Sequence, residues 1–159
     1  MSTIGTAFLE ESRALLARDY LPKIERCLTL LTDEQIWWRA NPASNSIGNL
    51  LLHLTGNLNY YFGTEMGGTG YVRNRPLEFA ETSRIPKDEL LKHFDEAIAV
   101  VANVLLKQSE SDWGAAYSAK GMEEIGDRFS TFLHCAGHIY HHTGQMMYLV
   151  KEIQRAGIR

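Results

Sequence analysis

Apolar residues recur three and four positions apart along most of the chain, and the runs are separated where Gly, Pro, Asn and Ser collect. That period is one face of an α-helix, and it predicts four long helices. The first covers about 6–31, where Phe8, Leu9, Leu15, Leu16, Tyr20, Ile24, Cys27, Leu28 and Leu31 make one stripe. Pro22 lies inside it, removes a backbone hydrogen bond and is expected to bend the helix. "TDEQIWWRANPASN" opens as a short helical turn at Thr32 or Asp33 and breaks at Asn41-Pro42. Ser46 suits the N-cap of a second helix, "IGNLLLHLTGNLNYYF", that fades near Gly63. "GTEMGGTGYVRNRPLEFAETSR" holds four glycines and a proline without sustained period, so it reads as a crossover connection. Pro86 suits the first turn of a third helix, with Asp88 and Glu89 near its positive end and "ELLKHFDEAIAVVANVLLKQ" as its stripe. A fourth starts between Glu124 and Asp127 and carries "FSTFLHCAGHIYHHTGQMMYLVKEIQ". No strand alternation or repeat competes. The expectation is an all-α chain, one four-helix-bundle domain over 1–159, whose second and third helices need not be antiparallel.

Composition narrows the function classes. Hydrophobic residues are 45% and charged residues 22%, ordinary for a globular chain and against a long disordered tail. A net charge of -3 gives no basic field for phosphates, so nucleic acid is not an expected partner. Cys27 and Cys135 both fall in apolar helical patterns, where a thiol acts as a small buried hydrophobe rather than a nucleophile or half of a disulfide. "MSTIGTAFLEESR" lacks the shape of a secretory signal, which makes a reducing cytoplasm the expected compartment. Asn103 and Lys107 interrupt the best apolar run short of the roughly 18–20 residues of a membrane span.

The chemistry concentrates in "HCAGHIYHHTGQ", which holds four of the six histidines. Helical residues four apart are about 40° apart around the axis, so His134, His138 and His142 form a ladder with His141 on its flank. A pair at i and i+4 can put two imidazoles on one ion, and His53, flanked by leucines on the second helix, is the natural third. Three imidazoles leave a coordination position open, as catalytic sites do. The plainer reading is a set of neutral, hydrogen-bonded core histidines. Gly137 and Gly144, seven apart near the ladder, are expected to let a neighbouring helix approach closely.

"SIGNLLLHLTGNL" followed by "HIYHHTGQMMYL" resembles the DinB-like superfamily, which includes YfiT-type metal-dependent hydrolases and thiol-dependent transferases; "LTDEQIWWRANPASNSIGN" resembles one uncharacterised branch of it. The resemblance implies an up-down-down-up bundle with a divalent ion, nickel or zinc, held by one histidine of the second helix and two of the fourth. Carried over by motif, the ligands are His53, His138 and His142. His134 and His141 match no ligand position, and Gly137 stands where relatives of that branch often have Glu. The resemblance also implies a homodimer.

Neutral imidazoles leave the full charge on such an ion, which suits hydrolysis and thiol transfer alike. Three readings follow: a metal-dependent enzyme acting on a small molecule, a non-catalytic metal- or ligand-binding stress-response module, and a plain helical interaction domain. No catalytic residue beyond the ligands can be named. His134 or His141 reads as a base near the ion or, more simply, as polar filling. Asn49 reads as a hydrogen-bonding neighbour or a first-turn satisfier. Trp37, Trp38 and Arg39 read as a pocket mouth or as packing, and Tyr60, Tyr61 and Tyr140 as an exposed aromatic face for a second subunit.

Overall fold

The computed structural model describes residues 3–158, so the place of Leu9's side chain in the first stripe lies outside what is described. The first rod is made of α1 (Ile4–Leu15), a π-helical turn (Leu16–Tyr20) and α2 (Leu21–Thr29). Pro22 has no N–H to return to residue 18, and its ring would press on that carbonyl; the wide turn immediately before it accommodates both. After it, α3 (Asp33–Ile36) is closed by a reciprocal capping box between Thr32 and Gln35.

The second rod is α4 (Ile47–Leu58), which runs on as a π-helical turn (Asn59–Thr64). Ser46 caps it, accepting from the Asn49 amide at 3.1 Å. The segment read as an aperiodic crossover contains a helix, α5 (Arg75–Ala80). Asn74 caps α5 and Pro76 occupies its first turn, a start signal that six residues are too few to support with a hydrophobic period. The long helices α6 (Lys87–Leu106) and α7 (Arg128–Ala156) follow, separated by a 3-10 turn (Glu110–Gly114). Asp127 caps α7, and Gly157, with φ of 63°, ends it in the left-handed conformation.

Contacts at one end of the bundle fix the directions. The Lys87 ammonium, at the start of α6, donates to the carbonyls of Leu28 and Leu31 at the end of the first rod. The Trp37 indole lies against Gly48 in the first turn of α4 and donates to the Ile85 carbonyl just before α6. Thus α4 and α6 both start where α2 ends. Gln35 donates to the carbonyl of Ile158, so α7 finishes at the same end. The order is up-down-down-up. The core between the rods holds Ile24, Ile36, Leu51, Leu54, Phe94, Ile139 and Met146, none more than 1% exposed, and each such side chain contributes about 1.5–3 kcal/mol by burial.

Trp37 and Trp38 are half-buried packing residues against this core. Tyr61 is buried, Tyr60 is half-buried and only Tyr140 is exposed, so the three do not form the expected aromatic face. Burial pushes the Cys135 thiol up to about 12 and raises that of Cys27, and neither is in a disulfide. Neither thiol should react with a disulfide reagent at neutral pH in the folded protein, while denaturation should release two. Among the described residues no helix is long and apolar enough to cross a membrane.

Candidate metal centre

Burial of the apolar stripes of α4 and α7 turns His53 toward the ladder of α7, because His53 shares the inner face with Leu50, Leu54 and Asn57. His53 Nε2 lies 3.1 Å from His138 Nε2, which lies 2.9 Å from His142 Nε2. One nitrogen from each ring falls within 4.8 Å of the other two. His53 is buried; His138 and His142 are half-buried.

The protons on these rings are constrained. His53 Nδ1 is 2.8 Å from Glu78 Oε2, and His142 Nδ1 is 2.6 Å from Gln145 Oε1. Both oxygens accept, and Arg73 Nη2, 3.1 Å from His53 Nδ1, has Glu78 Oε2 to donate to at 2.9 Å, so each Nδ1 donates its proton and each Nε2 presents a lone pair. His138 Nδ1 is buried without a partner. A proton on His138 Nε2 can satisfy one of its two short contacts and never both. A cation among the three nitrogens removes the conflict: zinc–imidazole bonds of about 2.0–2.1 Å place two ligand nitrogens about 2.9 Å apart at right angles and about 3.3 Å apart tetrahedrally. The three histidines could therefore hold a divalent ion. Burial, reinforced by His142 and His53, pushes His138 down to about 3, and burial also lowers His142. Both are neutral at physiological pH, the form that binds metal.

Glu78 is held from the other side by Arg73, whose Nε donates to Oε1 at 2.7 Å and Nη2 to Oε2 at 2.9 Å. Both side chains are less than a tenth exposed. Burial raises the Glu78 carboxyl, but the bonds from His53 and Arg73 and the guanidinium charge outweigh it, leaving it below the ordinary range and ionised. Asn49 ties α5 to the first turn of α4: its Nδ2 donates to the Glu78 carbonyl at 3.0 Å, while Arg39 bridges Asn49 Oδ1 and the Phe79 carbonyl. Asn49 is thus a brace for the Glu78 helix, and Arg39 shares that work rather than lining a mouth.

Residues 3–159 match a family described as "Protein of unknown function (DUF1572)". The chain belongs to the DUF1572 family. Solved structures share its fold, these two among them. A conserved protein from Enterococcus faecalis superposes with a TM-score of 0.72 at 17% identity, covering 89% of this chain and 94% of that one. A DinB-like protein from Bacillus cereus ATCC 10987 superposes with a TM-score of 0.65 at 15% identity, covering 87% and 86%. The DUF1572 chain is therefore DinB-like in fold. No curated protein matches it.

Of the histidines in this DUF1572 chain, the structure brings together the three read as ligands and leaves the others outside. His134 is exposed and stacks on His138, with ring centres 6.2 Å apart. His141 is exposed with its ring beside His142. Gly137 and Gly144 do not serve close approach, since a Cβ on either would meet nothing within 4 Å; they lie on the exposed side of α7. The glycine that touches the site's support is Gly56, where a Cβ would strike Glu78 Oε1. Glu78 cannot swing away without losing His53 and Arg73. Gly56→Ala should therefore destabilise the protein by about 1–3 kcal/mol despite alanine's better helix propensity. Gly137→Ala should instead gain up to about 1 kcal/mol. Denaturant midpoints of the two variants check this pair.

Proposed function

We propose that this chain is a metal-dependent enzyme acting on a small molecule, with a zinc or nickel ion held by the Nε2 atoms of His53, His138 and His142. The observation that carries the reading is the convergence of three imidazole nitrogens, two of them with lone pairs fixed inward by Glu78 and Gln145. Imidazole suits both metals. The ion, when bound, supplies Lewis acidity toward a carbonyl, a water or a thiol. The protein's part is to keep His138 and His142 neutral, to orient the three imidazoles and to shape a cavity of about 860 Å³ that His53 and His138 line. That volume lies in the range of small-molecule sites.

Hydrolysis and thiol transfer both fit this arrangement. The test is a screen of esters, amides and electrophiles offered with thiols, run on chelator-stripped protein before and after one equivalent of zinc or nickel. Turnover that appears with metal and is absent from His142→Ala supports an enzyme. Metal uptake without turnover across the screen favours the non-catalytic binding module.

A further inference from the structure

The cavity beside the three histidines has its own chemistry. Its wall includes Arg75 from α5 and Lys120 from the loop before α7. Both side chains are exposed, and neither has a carboxylate within ion-pair distance among the described residues. The Arg75 guanidinium rests over the Phe79 ring, 5.3 Å from its centre, which steadies it without neutralising it. Arg73 lines the same wall but is engaged by Glu78. The lining also includes Glu123, whose carboxylate is turned back to accept from the Gly121 amide at 2.8 Å. With Arg73 paired to Glu78 and Glu123 near Lys120, the mouth keeps a net charge of about +1 in a chain of net charge -3.

Further in, Asn57 lines the cavity one helical turn after His53 and is 4% exposed. Its Oδ1 is buried with no hydrogen-bond partner. That oxygen is enclosed by the protein, so Asn57 adds polarity to the wall without offering its acceptor to the cavity. Tyr60, Tyr71 and Met122 supply the apolar part of the wall.

We propose that the cavity takes a small molecule with an anionic head group, carboxylate or phosphate, bound between Arg75 and Lys120. Its body lies along the tyrosines, and its far end meets the histidine cluster. This assignment names the substrate class for the metal-dependent reading and rests on it only for that far end. The two cations act with or without an ion.

Calorimetric titration of untagged protein with 3-phenylpropanoate, phenyl phosphate and the neutral 3-phenylpropanamide tests it. Charge-assisted hydrogen bonds should make the anions bind at least about tenfold more tightly than the amide. The Arg75→Gln/Lys120→Gln variant should lose that preference while its zinc content, read by elemental emission, stays that of the wild type. An amide that binds as well as the anions would overturn the proposal. So would a double variant that keeps the wild-type preference, because the anions would then be held by the metal alone. Titrating chelator-stripped protein separates the two readings. An anion preference that persists there and depends on Arg75 and Lys120 upholds the anion site even if purified protein carries no metal.

Discussion

His138→Ala is expected to abolish the response of thermal stability to metal. In the wild-type protein, an ion that binds only the folded state adds about 4 kcal/mol when free metal is about a thousandfold above its dissociation constant. For a chain of this size that is a rise of roughly 8–16 °C in midpoint, reversed by chelator. His138 is the middle member of the cluster, with short contacts to both His53 and His142. Its removal leaves two rings, which hold an ion weakly. The variant's melting curve should be the same with zinc and with chelator. Because His138 is only half-buried and its Nδ1 already lacks a partner, the metal-free variant should melt within a few degrees of metal-free wild type. A variant that still gains stability from zinc would show that the metal sits elsewhere.

Glu78→Gln should be the most damaging single change outside the three histidines, through two separable effects. The carboxylate compensates a guanidinium that is itself only 9% exposed. Leaving that charge unpaired costs about 3–5 kcal/mol in buried pairs of this kind. The carboxylate also holds the His53 proton on Nδ1, and loss of such a support lowers metal affinity by about 10–100-fold. The effects part in the double variant Arg73→Met/Glu78→Gln. Removing both charges should restore much of the stability, since no buried charge is then left unpaired. It should not restore affinity, because an amide is a weaker acceptor for the Nδ1 proton than a carboxylate. Denaturant midpoints and competitive zinc titration read the two quantities separately.

The i to i+4 period made the helices legible, because it states which residues share a helix face. It puts His134, His138 and His142 on one ladder and the leucines around His53 place that residue inward, but the choice of His138 and His142 over His134 comes from the family resemblance and not from the period. Ser46, Thr32 and Asp127 mark helix starts by local chemistry, and all three cap as such residues do. What the period cannot state is what faces a residue across space. Glu78 lies 25 residues beyond His53 in a glycine-rich stretch with no hydrophobic rhythm, and its helix is too short to announce itself except through Asn74 and Pro76. The same limit explains the glycines. Gly137 and Gly144 share a face, but the face is exposed, whereas Gly56, unremarked within the second helix, is the position whose missing side chain admits Glu78. Gln145 was visible in "HTGQ", yet its role depends on the side chain folding back on His142 three residues earlier.

The most direct test of the central claim is X-ray absorption at the metal edge, with elemental analysis, on protein purified without a histidine tag. The account predicts about one equivalent of zinc or nickel per chain, with three imidazole nitrogens at about 2.0–2.1 Å for zinc, and loss of that signature in His53→Ala. Protein that takes up no divalent ion at micromolar concentration, or an ion whose coordination is unchanged in His53→Ala, would contradict it.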